Sequence, residues 1–338
     1  MSGEFLFCRR APSGTVVYEL LAEHLSRTAG RLTLSGDCAE QIPDEGGAVW
    51  VHGNAAFFPK LFRRLKRLPR QRRPFVVIWH NEPLPPPRAS GLAYPMPHAR
   101  EIAKILLRDP RATDVYTNWF TLRELHRQAL PDVLVVSAPG RHAFLSERGI
   151  PSHFVPLGYA AEMGRDLGLE RDIDVLFLGA LDVPRRNRIL KSLRGQGVNV
   201  TAVGDWKNPA YWGENRTALL NRAKILLNVP RTAGEYSGLR ILLGMANKAL
   251  VISEPIWDPA PYVPGRHFLM APVDEMAGLV RRYLTDETAR AAVVDEAYRT
   301  AIGEFTMERS VERILQIVAS RGPRGAWAER SRVCQNQS

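Results

Sequence analysis

The sequence predicts an α/β protein made of two doubly wound, Rossmann-like halves, and three observations carry that expectation. Segments of strand character alternate with segments of helical apolar spacing along most of the chain, the pattern of parallel βαβ units joined by right-handed crossovers. The alternation pauses once, at residues 158–171, where three glycines and no strong strand signal mark a connection between halves. In the second half a strand, a polar Gly-containing loop, a short helix and another strand follow closely over residues 225–253. Such a unit suits phosphate binding.

Composition agrees with a globular chain of two ordinary domains. At 338 residues, with 45% apolar and 24% charged side chains, the chain can bury a substantial core. No apolar run approaches the length of a bilayer span. The N-terminal stretch MSGEFLFCRR carries an acid before a very short apolar run, so it reads as a first strand and not as a signal peptide. Cys8, Cys38 and Cys334 are odd in number and share no metal-ligand spacing. They suit a reducing compartment, and a cytoplasmic protein is expected. Much of the net charge of +11 sits in residues 60–73, KLFRRLKRLPRQRR, where eight of fourteen are Lys or Arg. Such a block can face phosphates or an anionic membrane surface, so peripheral membrane attachment is one expectation and a solvated basic face the other. Without interleaved aromatics or a nucleic-acid module, nucleic acid is not the expected partner.

Taken in order, the first half shows strands at residues 5–8, 31–35, 48–52, 74–79, 114–117, 133–137 and 153–156. Its helices fall at 15–28, 55–68, 98–107 and 118–129. Phe57, Phe58 and Phe62 recur at helical spacing and belong to a core. Residues 74–79, PFVVIW, are apolar throughout, as a parallel strand buried on both faces is. The second half alternates strands at 173–178, 199–203, 225–229, 249–253 and 267–270 with helices at 185–195, 215–223, 238–247, 274–284 and 287–302. A last helix at 307–319 precedes a polar tail. The expected division is therefore a Rossmann-like domain at 1–158, a linker at 159–171 and a second Rossmann-like domain at 172–304. A helix at 305–320 crosses back to the first domain, and 321–338 is a disordered tail.

The loop and helix after the third strand of the second half hold the clearest chemistry. Gly234 and Gly238 allow backbone to approach a ligand without a Cβ in the way. Ser237 is a good N-cap, and the free amides of the first helical turn point at whatever lies in front of it. Arg240 puts a cation where the helix dipole favours an anion, which a bound anion would explain. An ordinary strand-to-helix connection remains the alternative for this stretch.

Residues 235–249, EYSGLRILLGMANKA, resemble the donor-site motif of GT-B glycosyltransferases, roughly E-x-x-G-x-x-x-x-E-A-x-A-x-G. Glu235 falls on the first glutamate and Gly238 on the glycine; Leu243 stands at the second glutamate and Lys248 at the later glycine. Residues 174–190, DVLFLGALDVPRRNRIL, are similar to the opening of the C-terminal domain in glycosyltransferases like the spore maturation protein CgeB. The runs 253–255, SEP, and 264–266, PGR, fit that group as well. The resemblance implies a GT-B fold, in which two Rossmann-like domains face each other across a cleft. It also implies transfer from a nucleotide-diphosphate sugar to a hydroxyl of a glycan, lipid-linked or protein acceptor, with no metal or other cofactor. Gly179, Arg185, Arg186, Tyr236, Ser237, Gly238, Leu239 and Arg240 would bind the donor, the three arginines converging on its diphosphate. Glu235 would contact the hydroxyls of the transferred sugar. Leu243 cannot accept the ribose hydrogen bonds that a glutamate would.

Acceptor chemistry is expected from strand-end loops of the first half. His80 and Glu82 are candidate general bases for an inverting reaction. His52, Asn54 and Asn81 stand beside them as acceptor-side residues, and each of these groups could equally close a strand-end hydrogen-bond network. Asp172-Ile173-Asp174 spells D-x-D, yet it lies at the start of a strand, away from where ligands of such sheets bind; no metal site is expected. Two other classes stay open: a catalytically silent GT-B scaffold that binds a sugar or a partner, and a basic nucleic-acid-binding protein.

Overall fold

The computed structural model describes residues 4–9, 14–26, 31–35, 42–43, 47–92, 99–107, 115–204, 208, 211–236 and 238–321. The chain divides into two compact units. One takes residues up to Pro156 together with those from Glu308 on, and the other is Leu157–Met307. The second unit is thus an insertion into the first.

The first unit is built on β1 (Glu4–Cys8), β2 (Arg31–Ser35), β3 (Ala48–His52), β4 (Phe75–His80), β5 (Val133–Val136) and β6 (His153–Phe154). These form one parallel sheet in the order β2-β1-β3-β4-β5-β6. Helices α1 (Thr15–Ser26), α2 (Pro59–Arg67), α3 (Ala99–Leu106), α4 (Val115–Arg127) and α5 (Pro139–Ser146) make the crossovers. The apolar run in β4 is buried from Val76 to Trp79 on both faces. One face packs Val76 and Ile78 against Leu61 and Leu65 of α2 and Leu122 and Leu125 of α4. Phe58 and Phe62 join this core and Phe57 lies against it.

Three expectations change here. The helix expected at 55–68 is a 3₁₀ turn, Ala55–Phe57, followed by α2, because Pro59 has no amide to donate and starts a helix better than it continues one. No strand forms at 114–117 within the described residues. Val115 opens α4, whose buried positions Val115, Asn118, Leu122 and Leu125 continue one helical stripe. Helix α5 occupies a stretch that carries no strong helical periodicity.

The second unit holds β7 (Ile173–Leu178), β8 (Val200–Val203), β9 (Ala223–Asn228), β10 (Leu250–Ser253) and β11 (Leu269–Met270), parallel and ordered β11-β10-β9-β7-β8. Its helices are α6 (Pro184–Gly195), α7 (Gly213–Asn221), α8 (Gly238–Ala246), α9 (Met276–Thr285) and α10 (Glu287–Gly303). The chain leaves β7 in one direction to reach β8 and returns past it to β9. The reversal opens a crevice between β7 and β9 at their carboxyl ends.

Residues 159–171, expected as a linker, are fastened to this unit. The Leu167 amide donates to Asn221 Oδ1 at 2.7 Å, and Asn247 Nδ2 donates to the Met163 carbonyl at 3.0 Å. Their glycines have a local reason: Gly164 and Gly168 adopt φ of 125° and 63°. Tyr159 exchanges backbone hydrogen bonds with Phe305 and Met307, so the two chain crossings at the edge of the unit run side by side. The last helix, α11 (Met307–Arg321), belongs to the first unit from Glu308 on. The tail beyond Arg321 lies outside the described residues.

Candidate functional site

The crevice between β7 and β9 collects the arginines. Beyond β7, Gly179 donates its amide to Val203 at 2.9 Å, and a Cβ on it would meet Arg240 Nη2 at 3.1 Å. Arg240, on the first turn of α8, donates from Nε to the Leu178 carbonyl at 3.1 Å and from Nη1 to Asn228 Oδ1 at 2.7 Å. Arg186, on the first turn of α6, donates from Nε to the Val229 carbonyl at 2.9 Å. Both guanidiniums lie against the ring of buried Phe177, 5.7 and 5.6 Å from its centroid. Uncharged carbonyl and amide oxygens therefore help to hold the two cations in place.

The electrostatic consequence is large. Burial, then the Arg186 charge, lowers Arg240 to about 9, with Glu235 opposing the shift and Arg231 adding to it. Burial likewise lowers Arg186 to about 10, with Arg231 adding repulsion and Glu235 and Asp182 partly compensating. Guanidiniums ordinarily stay protonated far above neutral pH. A depression of this kind marks a cluster of like charges that a bound anion would relieve.

Arg185 is drawn elsewhere. It forms a two-pronged ion pair with Glu254, donating from Nη1 to Oε1 at 2.8 Å and from Nη2 to Oε2, and it reaches the Pro230 carbonyl at 3.1 Å. Glu254 is 3% exposed, and a carboxylate so enclosed needs its own counter-charge. This corrects the expectation that three arginines converge: Arg186 and Arg240 meet at Phe177, while Arg185 neutralises Glu254.

The loop after β9 is held over the carboxyl ends of β9 and β10. Glu235 Oε2 accepts from the Thr232 amide at 3.3 Å, and Gly234 bridges to Ile256. Tyr236 stacks with buried Tyr262 at 6.5 Å, and Tyr262 meets Phe305 edge-on at 5.6 Å. A Cβ on Gly238 would overlap the Tyr236 ring as it stands, so a larger residue there would displace that ring. Ser237, the expected N-cap, lies outside the described residues. Leu239 is 48% exposed, whereas Leu243 is buried and its carbonyl accepts from Asn247 Nδ2 at 2.8 Å. Lys248, at the motif's glycine position, takes φ 52°. The backbone thus keeps the left-handed helix end that a glycine would favour.

Sequence reasoning missed Asn228, Ser253 and Glu254. All three are buried polar residues at strand ends; Asn228 donates to Ser253 Oγ at 2.9 Å as it accepts from Arg240. The signal was present: an Asn, a Ser and a Glu close otherwise apolar strands.

In the first unit the strand-end polar residues form a separate network. Asn54 Nδ2 donates to Asn118 Oδ1 at 2.8 Å, and Asn118 donates to the Pro83 carbonyl at 2.9 Å. Asn81 Nδ2 lies 3.3 Å from His52 Nε2, and Arg141 donates to the Asn81 carbonyl at 2.8 Å. His52 packs edge-on to Trp79. Burial, then Arg9, lowers His52 to about 4. Burial, then Arg141, lowers fully enclosed His80 to about 3. Glu82 is half-buried. His80 is therefore a neutral, weakly basic imidazole, which opposes its expected part as general base.

The D-x-D pair is engaged with cations: Asp172 with Arg222, and Asp174 with Lys224 at 2.6 Å. Among the described residues no group of His, Cys, Asp and Glu could hold a metal ion.

Residues 185–316 match the family model described as glycosyl transferase-like. No curated protein sequence matches the chain. Solved structures match its fold. TarM, solved also as an S. aureus mutant with UDP, aligns at 10% identity and a TM-score of 0.55 over 81% of this chain and 55% of TarM. The chain thus spans little more than half of TarM. HepE from Anabaena, in complex with UDP and glucose, aligns at 10% identity and 0.61 over 94% of this chain and 100% of HepE. Sucrose-phosphate synthase from Thermosynechococcus elongatus aligns at 12% identity and 0.59, over 94% and 98%. With two parallel sheets flanked by helices and a reversal of strand order in each unit, the chain has the GT-B fold, and its residues 185–316 are similar to the glycosyl transferase-like family.

Proposed function

We propose that the protein transfers a sugar from a nucleotide-diphosphate donor to an acceptor hydroxyl, with protein cations and no metal neutralising the leaving group. One observation carries this reading: Arg186 and Arg240 converge on Phe177 at the β7–β9 crevice, each with its basicity depressed by burial and by like charge. As the bond to the anomeric carbon breaks, negative charge gathers on the diphosphate. Two fixed guanidiniums, with Arg231 nearby, stabilise that charge more than they stabilise the neutral sugar. The donor amides at the start of α8 add to the field. HepE's complexes with UDP and with UDP-glucose make uridine nucleotides the first donors to try.

Glu235 would meet the transferred sugar. For an inverting reaction, the low basicity of His80 favours Glu82 as the group that takes the acceptor's proton. The stretches at 174–190 and 253–266 support placing the chain near the CgeB-like group. A cytoplasmic location fits this chemistry, and no helix among the described residues is long and apolar enough to cross a membrane.

The test is differential scanning fluorimetry with nucleoside diphosphates and their sugars. At least one should raise the melting temperature, by an amount set by its excess over Kd and about 2.7 kcal/mol at a hundredfold excess. Arg240→Ala should abolish the shift. If no nucleotide moves the melting temperature, the donor site is refuted. Buried Leu243 supports a second reading, a silent scaffold that binds donor without turning it over. Binding without donor hydrolysis or transfer would select it.

A further inference from the structure

We infer that the first unit docks on an anionic lipid bilayer through the outer face of the α2–α4 layer. Strands β3, β4 and β5 are neighbours in that order. Right-handed crossovers between them place α2 and α4 on the same side of the sheet. The contacts agree: Leu61 and Leu65 share a core with Leu122 and Leu125, and the Ala55–Phe57 turn packs on α4. With those side chains turned inward, the outer face of α2 is strongly cationic. Arg63, Lys66 and Arg67 are exposed there, and Arg70 follows in the next 3₁₀ turn. Residues 53–81 contain no Asp or Glu, so no acid flanks this helix along the sequence. Asp132, at the foot of β5, senses the charges of Arg70 and Arg73.

A second observation is independent of charge. The two most exposed large apolar side chains among the described residues are Leu106, at 77%, and Leu107, at 80%. They sit at the end of α3, which leads into α4 within the same crossover, and Phe120 on α4 is itself 47% exposed. Adjacent aliphatic side chains presented to water are costly unless something apolar receives them. Cations on α2, an exposed Phe on α4 in the same layer, and two exposed leucines at the end of α3 in the same crossover as α4 match an interfacial anchor. The basic face meets anionic headgroups, and the apolar side chains enter the acyl boundary. Nucleic acid would use the cations but has no place for leucines, since bases are gripped by stacking on flat groups.

The test is sedimentation of the full chain with vesicles of phosphatidylcholine alone or mixed with phosphatidylglycerol, across a salt series. The protein should bind the mixed vesicles, leave the neutral ones in solution, and lose affinity as salt rises. The triple variant Arg63→Gln, Arg67→Gln, Arg70→Gln should bind about a hundredfold more weakly, at roughly one kcal/mol per charge. Leu106→Ser with Leu107→Ser should weaken binding at high salt, where the cations contribute least. All five side chains are exposed, so melting curves of both variants should overlay the wild type. No binding to the mixed vesicles at low salt overturns the inference. So does equal binding by both folded variants, or retention on duplex DNA or an acidic polypeptide in place of vesicles.

Discussion

Glu254 and Arg185 show how one buried charge decides the role of another. The carboxylate is 3% exposed and the arginine 28%, so the pair is asymmetric. Truncating the arginine strands a carboxylate away from water, whereas truncating the glutamate leaves a cation that can still reach solvent. Arg185→Leu should therefore cost about 3 kcal/mol in urea melts and Glu254→Leu distinctly less. Equal losses would contradict the assignment. The same pairing explains why sequence could name the three arginines and yet not sort them. Arg185 and Arg186 are adjacent and chemically identical, and only the partners opposite them, Glu254 for one and the Val229 carbonyl for the other, separate the ion-paired cation from the one proposed to meet a donor.

Helix α8 joins the candidate site to the sheet beneath it, and its glycine sets how close it lies. A Cβ on Gly244 would overlap Val251 of β10 and stand 3.3 Å from Leu226 of β9. In α9, Gly278 has nothing within 4 Å of the same position. Alanine favours a helix by about 1 kcal/mol over glycine, so sequence-level propensity predicts stabilisation at both. Packing predicts opposite signs. Gly244→Ala should lower stability by about 1–3 kcal/mol through overpacking, and Gly278→Ala should raise it by up to about 1 kcal/mol. Thermal melts of the two variants check this. Two elements were misread, and for one reason: the strand expected at 114–117 and the missed helix α5 depend on which side chains the sheet covers. The periodicity of α4 becomes plain only when buried Val115 and Asn118 are counted with Leu122 and Leu125.

The two units have separate cores, and they should answer to different conditions. His153 in the first unit and His267 in the second are lowered, and the two histidines with large depressions, His52 and His80, both lie in the first unit, facing Arg9 and Arg141. Their folded values, about 4 and about 3, lie below the ordinary 6.5, so the unfolded chain binds more protons in between. Their contribution is complete above about pH 6.5 and is lost as pH falls through that value toward 3–4. Calorimetry at pH 7.5 and pH 5 should show a transition of the first unit that moves down with acid further than that of the second unit. A stabilising nucleotide should move the other transition. A single transition that responds equally to both would show that the units do not melt independently.

Alternation of strands and helices, the restart after residue 171 and the position of the strand-loop-helix turn at residues 225–253 were legible from residues alone, because apolar period and glycine placement are local properties of the chain. So was the concentration of charge in residues 60–73. What the residues could not reveal is which groups a fold brings together from distant positions. Asn228 beneath Arg240, Glu254 opposite Arg185, Phe177 between two guanidiniums and the sealing of His80 are all contacts made across strands. Burial and charge pairing set the state of an ionisable group, and both are decided only when the sheet has formed.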